Sequence, residues 1–242
     1  MQNCKVTSVH YSTLFYDDLV FHGKADLSYN GVIAFEYDPY NRIYKVKSGL
    51  FRLPPGGDFD GWFLREGIQD FITYSGNTVT VKHSANYTTR PYDKVFTIEN
   101  GQLLNRTTTN VHNYPAFTYH FTYEYNGNQI TEKRDGNVYR VFTIENGNLV
   151  KTERLLYGID GISGKEEYVF SNYDSSPNLL KGKYYINGSL LKAFSENNYR
   201  KVDRYTYTYN NGTFEPQQHS GYSLDFGYDQ QGFADLFGKD CP

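Results

Sequence analysis

The sequence predicts an all-β protein, a single antiparallel meander of serial hairpins in one domain that spans residues 1–242. Three observations predict this fold class: closely spaced turn sequences, an alternation of apolar and polar residues between them, and an internal repeat. The chain also holds 25 tyrosines and 17 phenylalanines, and rings of this kind remove large apolar areas from water. We therefore expect a folded chain that buries a sizeable core.

Asn-Gly pairs recur along the chain and mark the turns of the predicted hairpins. Both residues of such a pair tolerate positive φ angles, which the two-residue type I′ hairpin requires. The pairs are Asn30–Gly31, Asn100–Gly101, Asn126–Gly127, Asn146–Gly147, Asn187–Gly188 and Asn211–Gly212. Gly76–Asn77 and Asp135–Gly136 predict two further turns.

The stretches between these turns alternate with the period of a β-strand. Every odd position of residues Phe117–Tyr125 is aromatic and every even position is polar, and Tyr205–Tyr209 alternates in the same way. Strict alternation indicates a sheet with one buried and one wet face, which is typical of antiparallel structure.

One seven-residue segment occurs twice. Val95–Gly101 and Val141–Gly147 are identical letter for letter, and a leucine follows two residues beyond each glycine. A repeated unit that cannot bury its own apolar face shares a core with its neighbours. The repeat therefore favours one continuous sheet over separate domains.

Two segments interrupt the pattern, near residues 54–72 and 172–198, and predict one or two short helical segments. The first contains Trp62 and four apolar residues with helical spacing, so that a short helix and the opening of the next hairpin both fit. Those four residues are Leu64, Ile68, Phe71 and Ile72. The second predicts a long connection with a helical turn that plugs or caps the sheet. Long irregular connections are often functional, so a site is expected in these two segments.

The sequence carries no motif that names a reaction or a metal. Its six histidines form neither a His-x-His pair nor a His-Glu-x-x-His motif. Asp58–Gly61 lacks the further acidic positions of a calcium loop, and Gly161–Lys165 is not a nucleophile elbow. We therefore predict no catalytic residue, no metal site and no cofactor.

Charge and hydropathy exclude further classes of protein. The net charge of −3 offers no basic surface for nucleic acid. No apolar run approaches the ~18 residues of a membrane helix. Charged and amide side chains occupy alternate strand positions, so no membrane span is predicted.

Rows of tyrosine are the remaining feature with functional content. Tyr205, Tyr207 and Tyr209 share one strand face. Such a row either stacks against sugar rings or belongs to the core, since cross-strand aromatic pairs stabilise sheets. Together with Trp62, these tyrosines are the ligand-binding residues that the sequence predicts.

The two cysteines, Cys4 and Cys241, lie at opposite ends of the chain. They are either unpaired thiols or a disulfide that joins the first strand to the last in an oxidising compartment. Both alternatives stay open, because a sequence does not show whether its ends meet in space.

Four segments carry a resemblance to a known family that covers most of the chain. They are Cys4–Val9, Ala34–Ile43, Ser175–Asn178 and Tyr205–Gly212. They resemble an uncharacterised family of bacterial cell-envelope lipoproteins with tyrosine-rich hairpin repeats, although Tyr40–Asn41 stands where that family's hairpin carries a glycine. The resemblance implies a curled or partly closed, porin-like meander. It also implies export or attachment to a bacterial envelope, with a lipid as the only membrane anchor, and it carries over no catalytic residue.

These observations predict a non-catalytic binding or scaffold protein, secreted or attached to the cell envelope, with a glycan or a peptide as its ligand. The alternatives are a structural component of the envelope and a glycan hydrolase. A cleft with two close carboxylates would favour the hydrolase.

Overall fold

A computed structural model describes residues 4–10, 15–17, 22–24, 32–52, 62–84, 92–110, 117–159 and 161–241. This part of the chain contains 17 strands and one four-residue helix. The strands are β1 (Lys5–His10), β2 (Phe15–Asp17), β3 (His22–Lys24), β4 (Val32–Tyr37), β5 (Ile43–Arg52), β6 (Trp62–Ser75), β7 (Thr78–Ser84), β8 (Tyr92–Glu99), β9 (Gln102–Asn110), β10 (Phe117–Asn126), β11 (Gln129–Arg134), β12 (Asn137–Glu145), β13 (Asn148–Gly158), β14 (Gly161–Ser171), β15 (Lys201–Asn210), β16 (Thr213–Ser223) and β17 (Phe237–Asp240), and the helix α1 is Leu190–Ala193. No helix in this part is long and apolar enough to cross a membrane.

Fifteen of the strands form one antiparallel sheet. Its order runs from β16 back to β4 in reverse sequence and ends with β1 and β17, while β2 and β3 pair separately. The predicted all-β meander is therefore confirmed. The sheet is not closed in the described residues, because β16 and β17 stand at opposite ends of the strand order.

Most predicted hairpin turns join consecutive strands. Four of them have positive φ at both residues, as type I′ requires: Asn100–Gly101, Asp135–Gly136, Asn146–Gly147 and Asn211–Gly212. Gly76–Asn77 also joins two strands, but with positive φ at the glycine only, which is the type II′ pattern.

Three of the turn predictions fare differently. Strand β10 includes Asn126, so its turn consists of Gly127 and Asn128 instead. Asn187–Gly188 precedes α1 within a long connection and joins no strands, so its prediction as a hairpin is wrong. Asn30–Gly31 lies outside the described residues.

The two copies of the repeat adopt the same local structure. The amides of Ile98 and Ile144 donate to the carbonyls of Asn77 and Asn128, each over 2.8 Å. Each acceptor belongs to the turn of the preceding hairpin, and the strand register shifts at both isoleucines. The repeated letters thus encode a repeated β-bulge within one sheet.

The interruption predicted near residues 54–72 is wrong from residue 62 onwards, because β6 runs without a break from Trp62 to Ser75. Of the two alternatives for this segment, the short helix is wrong and the opening of the next hairpin is confirmed. Ile68 and Ile72 are both buried whereas Phe71 is exposed. A spacing of four residues puts two side chains on one face of a strand as well as of a helix. Pairing with β5 and β7 decides for the strand. Residues 54–61 lie outside the described part.

The connection between β14 and β15, residues 172–200, packs against the inner face of the sheet. Its Phe194 ring lies 4.8 Å from that of Phe142 in β12, and its Tyr185 ring lies 5.9 Å from that of Tyr74 in β6. The sheet therefore curls around this segment. Leu180, Ile186 and Leu191 of the segment belong to the same buried cluster as the strand residues.

The segment 172–200 thus forms a plug inside the curled sheet. Hydrogen bonds attach this plug to the turns that follow β8 and β12. The Tyr184 hydroxyl donates to the carbonyl of Gly101 over 3.1 Å, and the Glu196 amide donates to that of Gly147 over 3.0 Å. A Cβ atom on Gly147 would lie 2.6 Å from Cδ of Glu196. Glycine at 147 thus serves both the turn and the close approach of the plug.

A disulfide joins the two ends of the chain. Cys4 precedes β1 and Cys241 follows β17, and these strands pair antiparallel, which brings the two Cα atoms to 4.2 Å. The strand pairing therefore supplies what the sequence could not show, namely that the ends meet. Because the Cys4 sulfur is used in this bond, it cannot also carry a thioether-linked lipid.

We expect the intact mass of the native protein to lie below that of the reduced protein by the mass of two hydrogen atoms. The native protein should also have no thiol that reacts with iodoacetamide in denaturant, because the described structure has no free cysteine. Non-reducing mass spectrometry checks both. A lipid mass on the peptide that contains Cys4, with Cys241 alkylated, would contradict the disulfide.

Candidate functional site

The three tyrosines predicted to bind a ligand lie on the face of β15 opposite to the buried Val202. Neighbouring side chains already contact each of them. The Tyr205 ring stacks on His219 of β16 at 4.6 Å, and Tyr209 packs on Phe214 at 5.0 Å. The Tyr207 hydroxyl donates to Glu167 over 3.3 Å. The structure thus keeps them together in one row, on a convex outer face.

The fourth predicted residue, Trp62, begins β6 and pairs with Arg52 of β5. Its side chain lies outside the described part of the structure.

A cleft of about 320 Å³ lies between the plug and the part of the large sheet formed by β6 and the turn between β4 and β5. Small-molecule sites commonly have volumes of ~300–1,000 Å³. Three tyrosines, three cations and three smaller residues line it: Tyr37, Asn41, Arg42, Ile43, Tyr74, Lys181, Gly182, Lys183 and Tyr185. The wall is therefore both aromatic and positively charged.

The turn between β4 and β5 positions the arginine of this cleft. Asp38 accepts hydrogen bonds from the amides of Tyr40 and Arg42 over 3.0 and 2.9 Å, and Asn41 adopts a φ of 66°. Asparagine adopts this conformation more readily than other non-glycine residues, so Asn41 forms the turn without a glycine at this position. The turn Asp229–Phe233 repeats the arrangement, with Gly232 at a φ of 80°.

The Arg42 side chain lies between the Asp38 carboxylate and the Tyr74 ring. Its guanidinium donates two hydrogen bonds to the Asp38 carboxylate, over 2.9 and 2.7 Å, and lies 4.6 Å from the centre of the Tyr74 ring. The first pair fixes the arginine, and the second places positive charge on the aromatic wall.

The plug supplies the opposite wall. Lys181 pairs with Glu196 at 2.5 Å, and Lys183 donates to the carbonyl of Leu179 over 2.9 Å. Burial lowers the pKa of Lys183 below its usual value. The two lysines therefore differ, since one faces a carboxylate and the other a neutral carbonyl.

The tyrosine hydroxyls of the cleft are held as neutral donors. Tyr37 donates to the carbonyl of Val6 over 2.6 Å and Tyr74 to that of Ile43 over 2.7 Å. Burial raises the pKa of Tyr37 to about 12 and raises those of Tyr74 and Tyr185 as well. These groups can orient a ligand but cannot act as bases near neutral pH.

A second polar arrangement lies inside the sheet, on the face of β12 that carries Phe142. The Glu132 carboxylate is fully buried and accepts hydrogen bonds from Arg106 over 3.0 Å and Tyr123 over 2.6 Å. Arg140 Nε lies 3.2 Å from its other oxygen, an ion pair without hydrogen-bond geometry. Three neighbouring strands thus hold one carboxylate.

Glu166 forms a similar group on β14. It pairs with Arg154 at 2.9 Å and with Arg204 at 2.7 Å, and Arg154 also donates to the Tyr139 hydroxyl over 2.9 Å. Both groups join adjacent strands by buried or half-buried ion pairs. We interpret them as structural, because each carboxylate is shared by two guanidinium groups.

Asp70 and His83 form a buried pair on β6 and β7. A carboxylate that orients histidine also occurs in catalytic dyads. In the part of the chain that the structure describes, no hydroxyl or thiol hydrogen-bonds to His83, and no group of three or more metal-binding side chains occurs. In that part the pair therefore lies beside neither a hydrogen-bonded nucleophile nor a group of metal-binding side chains.

The sequence missed the cleft residues of the sheet but indicated those of the plug. Lys181, Lys183 and Tyr185 fall within the segment 172–198, where a site was expected. Tyr37 and Arg42 belong to a stretch that was recognised only for its family resemblance. Their proximity to the plug could not be foreseen, since nothing in the sequence shows how the sheet curls.

Comparisons with known proteins bear on the fold. No protein-family model matches the sequence, and no curated protein matches it. The structure is similar to the crystal structure of a porin-like protein from Bacteroides vulgatus ATCC 8482, with a TM-score of 0.53 and 13% identity over 96% of this chain and 98% of that one. A porin-like protein from Bacteroides uniformis ATCC 8492 matches with a TM-score of 0.38 and 14% identity over 79% and 88% of the two chains. At such identities the likeness extends to the fold alone, which is an open, porin-like antiparallel meander.

Proposed function

We propose that this protein is a non-catalytic binding protein of the bacterial cell envelope. Its ligand is a glycan held in the cleft between the β4–β5 turn and the plug. The observation that carries the proposal is the lining of the cleft, where three tyrosine rings stand beside three cations. Sugar rings bind through their flat apolar faces to aromatic rings and through their hydroxyls to polar groups.

The lining favours binding over hydrolysis. A glycosidase needs two carboxyl groups at a defined separation across the scissile bond. None of the nine described lining residues carries a carboxylate. Asp38 and Glu196, which contact lining residues, are engaged in ion pairs with Arg42 and Lys181.

Two observations support an extracytoplasmic location. The disulfide between Cys4 and Cys241 suits an oxidising compartment such as the periplasm or the cell surface. The similar porin-like fold occurs in a Bacteroides protein. With Cys4 in a disulfide, any attachment to the membrane is proposed to use another part of the protein.

A glycan array followed by isothermal titration calorimetry tests the proposal. We expect at least one saccharide to bind, and we expect Tyr74→Ala and Tyr185→Ala each to weaken its affinity by about tenfold or more, equivalent to ~1.4 kcal/mol. The reason is that each substitution removes one ring of the aromatic wall. Thermal unfolding of both variants shows whether the fold is retained.

Two other tyrosines serve as comparisons. Tyr157 is 64% exposed at the end of β13, so Tyr157→Ala should bind as the unaltered protein does. If Tyr209→Ala abolishes binding while the cleft variants retain it, the site is the tyrosine row of β15 and not the cleft. Absence of binding across the array would reject the glycan and favour a structural role in the envelope.

A further inference from the structure

The charges around the cleft do not balance. Arg42 is paired with Asp38 at 2.7 Å and Lys181 with Glu196 at 2.5 Å. Lys183 has no carboxylate within ion-pair distance in the described part of the chain, and its ammonium donates only to the Leu179 carbonyl. Three cations therefore face two carboxylates, which leaves one positive charge at Lys183.

The plug holds the backbone of Lys183 in place. Its amide donates to the carbonyl of Leu180 over 3.0 Å, and its own carbonyl accepts a hydrogen bond of 2.6 Å from the Ser189 hydroxyl. Ser189 is fully buried at the start of α1. The side chain therefore extends from a fixed point and lines the cleft as a positioned group.

An ammonium group has three N–H donors, and one carbonyl satisfies one of them. A half-buried cation without a counter-ion is unfavourable, and an anionic partner compensates it by both charge and hydrogen bonds. The surplus at this cleft is a single positive charge, which a singly charged group would neutralise.

Resting on the glycan binding proposed above, we infer that the ligand is an acidic saccharide, one anionic substituent of which binds Lys183. A uronate carboxylate and a sulfate ester both supply this chemistry. The sugar ring that bears the substituent then lies against the tyrosine wall opposite, which consists of Tyr37 and Tyr74 with Arg42.

Calorimetry with matched charged and neutral saccharides tests the inference. The probes are a tetra-galacturonide and its methyl ester, and a sulfated carrageenan oligosaccharide and its desulfated form. We expect one charged probe to bind at least tenfold more tightly than its neutral counterpart, with a preference that shrinks as salt increases. The pair that shows this preference distinguishes carboxylate from sulfate.

Variants of Lys183 show whether this residue causes the preference for the charged probe. Lys183→Met should reduce it to less than twofold, whereas Lys183→Arg should preserve it because the charge is retained. Lys151→Met removes an ammonium paired with Glu153 on β13, away from the cleft, and should leave the preference unchanged. If Lys183→Met lowers the thermal stability severely, the comparison of Lys183→Arg with Lys183→Gln replaces it.

The outcomes separate this inference from the proposed function. Equal affinity for charged and neutral probes overturns the acidic ligand but leaves glycan binding intact. A charge preference that survives Lys183→Met and Lys183→Gln overturns the role of Lys183. Absence of any saccharide binding removes the proposed function itself.

Discussion

Replacing Glu132 with glutamine is expected to lower the free energy of unfolding by about 3–5 kcal/mol, because it leaves two buried guanidinium groups without their carboxylate. Glu132 is 0% exposed and lies against Arg106, Arg140 and the Tyr123 hydroxyl. Glutamine keeps the shape of the side chain, so the loss reports charge more than packing. Urea unfolding followed by tyrosine fluorescence and circular dichroism measures it.

Glu124 provides the matched control on the neighbouring strand. Its carboxylate is 59% exposed and pairs with Lys133 at 2.6 Å, and exposed pairs of this kind contribute ~0–1 kcal/mol. Glu124→Gln should therefore change the free energy of unfolding by less than about 1 kcal/mol. A loss below that value for Glu132→Gln would show that the buried ion pairs do not stabilise the sheet.

Replacing Lys192 with methionine is expected to stabilise the protein by about 1–3 kcal/mol at pH 7, since an ammonium group is removed from an apolar environment. Lys192 is 1% exposed on α1, and its Nζ has no hydrogen-bond partner in the described structure. It lies 4.4 Å from the centre of the Tyr199 ring. Loss of this cation–π contact, worth up to ~2 kcal/mol, offsets part of the gain.

The pH dependence distinguishes this mechanism from a simple packing effect. Burial lowers the pKa of Lys192 from 10.5 to about 8 in the folded protein. Between these two values the unfolded chain binds the proton that the folded protein has released, so stability rises with pH in this window. The full range corresponds to ~3 kcal/mol. The advantage of Lys192→Met should accordingly be largest below pH 8 and decrease as pH approaches 10.5.

Buried tyrosines lower the stability as pH rises, but they do so equally in the unaltered protein and in Lys192→Met. Burial raises the pKa of Tyr125 to about 12, so such residues lower the stability above about pH 10 and cancel in the difference. Lys181→Met, which alters a lysine with 51% of its side chain exposed, should show no comparable gain. An advantage of Lys192→Met that stays constant from pH 7 to 10.5 would show that the folded and unfolded chains bind equal numbers of protons in this window, so that the pKa of Lys192 is not lowered and the gain comes from packing.

Local chemistry was predictable wherever the chain contacts only its neighbours in sequence. Asn100–Gly101 and Asn146–Gly147 form the turns that their residues favour, because positive φ is a property of the residues themselves. The turn after β10 shifted by one residue because the cross-strand pair Asn126–Gln129 sets its register. Asn187–Gly188 shows the limit of the rule, since the same two letters form a turn without strands on either side.

The alternation of apolar and polar residues showed that the two faces of a strand differ, but not what each face contacts. In β10 the odd aromatic positions include the buried Phe121 and Tyr123, as alternation suggests. In β15 the odd positions Tyr205 and Tyr209 lie on the outer face, while Val202 points to the core. Alternation reports that two faces differ, but it does not report which of them meets the plug.

The aromatic hairpins, the serial order of the strands and the shared core of the repeated units were determined by the sequence alone, because turn propensity and alternation act over a few residues. The tertiary structure decided the meeting of Cys4 with Cys241, the docking of residues 172–200 inside the curled sheet, and the cleft that brings Tyr74 to Lys183. These contacts join residues that lie far apart in the sequence, from the pair Gly147 and Glu196 to Cys4 and Cys241, which are 237 positions apart. They depend on the curl of fifteen strands, to which each strand adds a small twist that no local pattern records.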